Sequence, residues 1–157
     1  MEARNVTPLS RNFTLEELIV SSAADAAGIS NQPTPRHLAN MVQFLVPGLE
    51  EIRALAKAAV VVTSAYRNPQ VNKLVGGTPT SAHPQGFAAD IRIAAQSSLA
   101  TARMIFEAMR TGKLAVDQLI LESGRRVVHV SFDPRLRGMA GHQPGPAGTP
   151  IDWKFFG

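Results

Sequence analysis

The sequence predicts an α+β fold in which helices pack against one face of a small antiparallel sheet. Apolar residues recur at helical spacing from residue 38 to 52 and again from 99 to 109. Short β-branched or alternating runs at residues 59–63 and 89–93 are typical of strands. Two further apolar runs between residues 118 and 132 flank a tight turn and predict a β-hairpin. Helical and strand patterns are interspersed, which favours a mixed fold.

The composition limits the class of protein. With 157 residues, of which 45% are apolar, the chain is long enough for a substantial core, and we expect residues 1–157 to form one domain. No segment approaches the roughly 18 consecutive apolar residues of a membrane span. The first residues lack the apolar run of a secretory signal, so the protein is expected in the cytoplasm when synthesised.

The absence of cysteine limits the chemistry. Disulfides and thiolate metal sites are excluded because the chain contains no cysteine. Any metal ion must therefore be held by His, Asp or Glu. The chain has four histidines, which are His37, His83, His129 and His142.

The charge of the chain favours anionic partners. The formal net charge is +4, which suits nucleic acid, anionic lipid or an anionic cell wall. The basic residues are scattered, however, and Arg125-Arg126 is the only adjacent pair. Neither a basic helix nor an aromatic stacking motif is present, so we do not expect a nucleic-acid partner.

Two helices are predicted before the first strand. A capping box that begins at Thr14 predicts a helix over residues 15–27, with Gly28 just beyond its end. A long amphipathic helix is predicted over residues 35–58, and Pro47 should kink it.

The hairpin places two functional candidates on one face. A tight turn at Gly124-Arg125 suits a type II′ hairpin, because glycine occupies the first central position. In that register Ile120 pairs with His129 and Glu122 pairs with Val127. Glu122 and His129 then lie diagonally on the same side, opposite an apolar core face.

The last part of the chain carries weaker signals. The helix over residues 99–109 is expected to end at Thr111-Gly112. Residues 133–157 are rich in Gly and Pro and predict an irregular surface tail. Residues 151–156 should dock back through their aromatic side chains.

Three side chains in this pattern suit a zinc ion. His83 and Asp90 lie seven residues apart on a loop that leads into a strand, and His129 lies on the hairpin. Nitrogen and oxygen ligands of this kind bind zinc, and three protein ligands leave the fourth position for water. We therefore expect a zinc cleft on the sheet face opposite the helices.

Two further residues fit catalytic roles beside such an ion. Glu122 would take the proton of the attacking water and pass it to the leaving amine. Arg67, at the end of the strand before this loop, would bind a substrate carboxylate or the developing oxyanion.

Each of these residues alone also has a structural explanation. A single His on a strand more often makes a structural hydrogen bond. Asp90 would cap a turn, Arg67 would pair with any carboxylate, and Glu122 would be a solvated residue before a turn. His37, on a helix, and His142, in the tail, are not expected to bind the metal.

The combination resembles a known family. The pattern Ser81-x-His83-x6-Asp90, followed by Val128-His129-Val130-Ser131, is similar to the zinc D-Ala-D-Ala carboxypeptidase family. The element Ser64-Ala65-Tyr66-Arg67 resembles its SxYR sequence. The resemblance covers roughly Leu9 to Phe132, and residues 12–17, 75–77 and 117–120 are similar to a compact branch common in phages and prophages.

One position departs from many members of that family. Their catalytic Glu lies three residues before the last His, and Arg126 occupies that position here. In the compact branch an acid lies further back across the hairpin. Glu122 then takes the role, in agreement with the register argument.

The resemblance implies a peptidase that acts on bacterial peptidoglycan peptides, with zinc as its cofactor. Arg67, Ser81 and Gln118 would contact the substrate. The cleaved bond stays open between carboxypeptidase and endopeptidase reactions. A monomeric phage lysis enzyme or a virion-associated wall-degrading part is expected, released to the cell wall by another factor. The alternative is a non-catalytic phage structural module that retains the fold.

Overall fold

The fold is α+β, as the sequence predicted, with a mostly antiparallel sheet. The computed structural model describes residues 5–157. Within that range five strands lie in the order β1-β2-β4-β3-β5. Their bounds are β1 Val60–Ser64, β2 Ala88–Ile93, β3 Gln118–Glu122, β4 Val127–Ser131 and β5 Met139–His142.

The predicted first helix is divided in two. Helix α1 spans Leu15–Ile19 and α2 spans Ser22–Ala27. The Ser21 hydroxyl accepts the amide N–H of Ala24 and so caps a new helix, while the β-branched Val20 turns extended. The prediction of one continuous helix was therefore wrong, because a second cap competes with the first.

The long helix changes its winding before the proline. Helix α3, Pro35–Asn40, continues through a π-helical turn, Met41–Leu45, into α4, Val46–Ala56. The Val46 amide donates to the Met41 carbonyl five residues back. Pro47 has no amide hydrogen to donate, so the irregularity falls one turn earlier than a simple kink at that residue.

The packing of α4 on the sheet requires a glycine. A Cβ added at Gly48 would lie 2.3 Å from the ring of Phe132, which follows β4. The missing side chain therefore lets the aromatic ring lie directly on the helix backbone. This contact holds α4 against the end of the strand that carries His129.

The hairpin has the predicted register but a different turn. Ile120 pairs with His129, and Glu122 pairs with Val127. The strands are joined by a four-residue loop, residues 123–126, with the left-handed conformation at Arg126 (φ 55°). A type II′ turn requires positive φ at Gly124, which that residue does not have, so the predicted turn type was wrong.

The two faces of the sheet differ in chemistry. Apolar side chains of the central strands, among them Ile91, Leu119 and Val128, are buried in a core with α4 and α6, Ser98–Arg110. The alternate positions present Asp90, Gln118, Glu122 and His129 to a cleft on the other face. Helix α5, Pro69–Leu74, and a 3₁₀ turn, His83–Gln85, lead into β2 beside that cleft.

The segment after residue 132 contains a strand that the sequence did not reveal. β5 runs parallel to β3, and the chain then returns so that His142 bridges to Asp152. A Cβ at Gly141 would meet Ile151 and Trp153 within 2.8 Å, so only glycine permits this close return. The tail is therefore an edge of the sheet rather than irregular throughout.

The end of the tail docks through an aromatic contact. Phe156 stacks on Phe106 of α6 with ring centroids 5.1 Å apart. Among the helices of residues 5–157, none combines the length and the apolar character that crossing a membrane would require.

Candidate metal centre

His83 is held with one ring nitrogen free for a ligand. The residue is buried in the 3₁₀ turn, and the Ser81 hydroxyl accepts its backbone amide at 3.2 Å. Its Nδ1 lies 2.6 Å from the Ala65 carbonyl, which can only accept, so Nδ1 carries the proton. Burial lowers the pKa of His83, against the opposing effect of Asp90. The ring is therefore neutral, and the lone pair of Nε2 faces Asp90 3.3 Å away.

Asp90 and His129 are neighbours across two central strands. The register of β2 and β4 pairs them directly, and Asp90 Oδ1 lies 3.1 Å from His129 Nδ1. A β-bulge in β1 at Thr63 adjoins this pair, and the Thr63 hydroxyl donates to the Asp90 carbonyl. The rings of His83 and His129 have centroids 5.0 Å apart.

The three side chains fit a zinc ion. One potential ligand atom from each of His83, Asp90 and His129 lies within 4.8 Å of the others. Burial raises the pKa of Asp90, but His83 and His129 hold it well below its ordinary value. Asp90 Oδ2 is buried without a hydrogen-bond partner among the described residues. The ionised carboxylate of Asp90 and the imidazole lone pair of His83 thus point to the same place. A cation that binds nitrogen and oxygen ligands, such as zinc, would compensate the negative charge there.

Glu122 lies beside this cluster in an environment that favours its protonated form. Burial raises its pKa above the ordinary value, and the charge of Asp90 adds to the shift. The guanidinium of Arg125 contacts both acids, with Nη1 3.3 Å from Glu122 Oε2 and 3.5 Å from Asp90 Oδ2. Arg125 was not among the residues predicted to contribute to the site. Its spacing, three residues after Glu122 in a hairpin loop, was the available signal.

The predicted substrate-binding residues line the same cleft, and their roles stay predictions. Arg67 has a buried Nε without a hydrogen-bond partner among residues 5–157. Burial lowers its pKa, while Asp90 opposes the shift. Gln118 lies at the start of β3 with its amide nitrogen 3.8 Å from the sulfur of Met139. Ser81 faces the cleft and also supports the loop of His83.

The second wall of the cleft comes from the tail. The cavity has a volume of about 510 Å³. Arg135, Arg137, Gln143, Ile151 and Trp153 contribute to its lining. None of these residues was a candidate in the sequence analysis, because their approach depends on β5, for which the sequence carries no clear strand pattern.

The fold and the cluster together define a class of protein. Two histidines and an aspartate converge on one point, and a carboxylate with a raised pKa lies next to them in a cleft. Such an arrangement of side chains is typical of a metal-dependent hydrolase.

Residues 11–131 match the family model described as Peptidase M15, and the chain belongs to that family. The predicted relation to the zinc D-Ala-D-Ala carboxypeptidases is thereby confirmed, and membership indicates a metallopeptidase. Members of the family depend on zinc, which agrees with the donor set of the cluster. No curated protein matches the chain.

Proposed function

We propose that this protein is a zinc-dependent peptidase that hydrolyses peptide bonds in the stem peptides or cross-links of bacterial peptidoglycan. The observation that carries the proposal is the convergence of His83, Asp90 and His129 beside Glu122 in one cleft of a Peptidase M15 member.

The proposed chemistry divides among the side chains of the cleft. His83 Nε2, an Asp90 oxygen and a His129 ring nitrogen would hold zinc. When bound, zinc supplies Lewis-acid chemistry, polarising the scissile carbonyl and lowering the pKa of water. Glu122 accepts a proton from the attacking water at a carboxylate oxygen and delivers it to the leaving amine. Its raised pKa suits both steps, because the carboxylate is then a better base toward water, while the carboxylic acid that results can still protonate the leaving amine.

Arg67 is assigned to the substrate. Its partly buried guanidinium lies near Asp90 and Glu122 and makes no ion pair within the described residues. A free guanidinium of this kind binds a carboxylate or stabilises an oxyanion. Peptidoglycan stem peptides carry free carboxylates, which supports this substrate class.

Digestion of purified peptidoglycan tests the proposal. The zinc-loaded protein is incubated with muropeptides, and mass spectrometry identifies the new termini. Release of a terminal residue would mark a carboxypeptidase, and separation of longer fragments an endopeptidase. Muropeptides that stay intact with a fully zinc-loaded protein would refute the proposed activity.

We further propose a phage setting, as a soluble lysis enzyme or a virion-associated part. The support is the similarity of residues 12–17, 75–77 and 117–120 to the compact phage and prophage branch. Proteomics of purified virions would separate the two, since only a structural part would be found there.

A further inference from the structure

Two arginines on the segment between β4 and β5 face the cleft from its second wall. Arg135 and Arg137 are two residues apart and both contribute to the cleft lining. This segment lies beyond residue 131, where the match to the family ends. The nearest carboxylates are Asp133 and Asp117, rather than the acids of the metal centre.

Each guanidinium is fixed by a two-pronged ion pair. Arg135 Nε and Nη2 donate to the two oxygens of Asp133, both at 3.0 Å. Arg137 Nε and Nη2 donate to Asp117 at 3.0 and 2.9 Å. The backbone amide of each arginine also donates to the same carboxylate, which fixes the start of the side chain as well.

Donors remain after these bonds are made. A guanidinium has five N–H groups in a plane, and the observed pairs use two of them. The remaining donors of each arginine are therefore held in a fixed orientation. Binding an acceptor would cost little further side-chain entropy.

Stability alone does not explain the ion pair between Arg135 and Asp133. Arg135 and Asp133 are two residues apart in one loop, and the arginine side chain is 61% exposed. An exposed local pair of this kind contributes about 0–1 kcal/mol. The lining of the cleft includes four arginines but, within the described residues, only the carboxylates Asp90 and Glu122. Asp117 and Asp133, which pair with two of those arginines, are not part of the lining.

We propose that Arg135 and Arg137 form a second anion-binding subsite, which takes a carboxylate of an acidic peptide substrate away from the bond that is cleaved. The assignment rests on the proposed function for the identity of the substrate. It would give the enzyme a preference for peptides with a free side-chain carboxylate, independently of Arg67.

The test measures binding rather than turnover. The probes are a synthetic tetrapeptide with one internal side-chain carboxylate and the same peptide amidated at that group. Titration calorimetry gives both dissociation constants for zinc-loaded protein carrying Glu122→Gln, which serves as the parent. We expect the parent to prefer the free carboxylate by about tenfold, the scale of one charge-assisted hydrogen bond. Arg135→Gln should reduce that preference to near unity.

Two further variants control for folding. Arg110 donates to both carboxylate oxygens of Glu107 and is exposed, outside the lining of the cleft. Arg110→Gln therefore removes a similar ion pair and should keep the preference for the free carboxylate. Arg137→Gln alone would leave Asp117 buried without its partner. It is therefore combined with Asp117→Asn, and this pair of changes should also lower the preference.

Equal binding of the two peptides to the parent, or no binding of either, would overturn the subsite. So would a preference that survives both Arg135→Gln and the combined variant. Muropeptide hydrolysis by the wild-type protein is scored separately. Cleavage without a carboxylate preference would reject only the subsite, whereas a preference without cleavage would support the subsite and reject the peptidase.

Discussion

At the scale of single residues, the buried carboxylate of Asp90 is the charge that the candidate site must stabilise. One of its oxygens faces both histidines, and the other is buried, makes no hydrogen bond within the described chain and lies 3.5 Å from Nη1 of the half-exposed Arg125. A buried carboxylate in that state costs several kcal/mol unless it is paired or coordinates a cation. We therefore expect a cation held by Asp90 and the two histidines to lower this cost.

Metal content should follow the three candidate ligands. We expect about one zinc per purified chain, because the donor set matches a three-ligand site. His83→Ala, Asp90→Asn and His129→Ala should each lower zinc content severely, as measured by plasma mass spectrometry. His37→Ala, outside the cleft, is the control and should keep the ion. Full zinc retention in all three ligand variants would contradict the site.

The role of Glu122 is separable from metal binding. Glu122→Gln preserves size but cannot accept a proton, so turnover should fall at least about 10²-fold while zinc content stays normal. Because burial raises its pKa, the wild-type rate should decline as pH falls through a value above the ordinary 4.5. Kinetics across pH check both points. Glu107→Gln, on the exposed face of α6, should leave the rate unchanged, and an active Glu122→Gln enzyme would reject the assignment.

At the scale of elements, Gly48 determines how α4 meets the sheet. By helix propensity alone, Gly48→Ala should stabilise the protein by about 1 kcal/mol. The new Cβ would overlap the Phe132 ring, so we expect the free energy of unfolding to fall by about 1–3 kcal/mol instead. Denaturant titration measures the change.

Ala54, an exposed position in the same helix, provides the control for this measurement. Ala54→Gly changes propensity without a contact and should cost about 1 kcal/mol. If Gly48→Ala proved as stable as the parent or more so, the close packing of Phe132 on the helix would be wrong.

The elements that the sequence predicted are those with strong periodicity. The hairpin register followed from alternation, since a slip of one residue would have buried Glu122 and His129 in the apolar core. Caps and turns were harder, because Ser21 starts a new helix within an apolar pattern and the loop at residues 123–126 keeps the same pairing as a shorter turn. β5 was missed because its residues, Met139–His142, gain their conformation from the free edge of β3.

At the scale of the whole molecule, the Asp117–Arg137 pair ties the tail to the sheet. Burial raises the pKa of Asp117, but hydrogen bonds from Arg137 outweigh it and lower the pKa below the ordinary 3.8. A folded-state pKa below the unfolded one stabilises the fold above the unfolded value. That contribution is lost as pH falls through the folded value.

Replacement of Asp117 should therefore have a pH-dependent effect. Asp117→Asn is expected to lower the free energy of unfolding by about 1–3 kcal/mol near neutral pH, through loss of charge-assisted hydrogen bonds. The difference from the parent should shrink below the ordinary pKa, when the parent carboxyl also becomes protonated. Urea titrations at a series of pH values measure this difference in the free energy of unfolding, with a chelator present to remove metal ions. A gap that stays constant down to the acid limit would show that charge is not the cause.

The site was predictable where its residues are close in sequence or directly paired across strands. His83 and Asp90 share one loop and strand, and the hairpin register brought in His129 and Glu122. Arg125 and the tail arginines were not predicted. Their positions follow from loop conformation and from the return of the chain beyond β4, neither of which leaves a periodic signal.

The path of the chain from β4 to β5 has a consequence for how such an enzyme can diversify. β4 ends opposite Gln118, and β5 begins beside the same residue on the other side of β3. Beyond the core residue Phe132, the connection formed by residues 133–138 therefore passes over the end of a strand and belongs to no strand itself. Its length and side chains can be exchanged without shifting the register that holds Asp90 and His129. In this architecture the candidate metal centre belongs to the sheet, whereas the second wall of the cleft belongs to a connection that can vary independently.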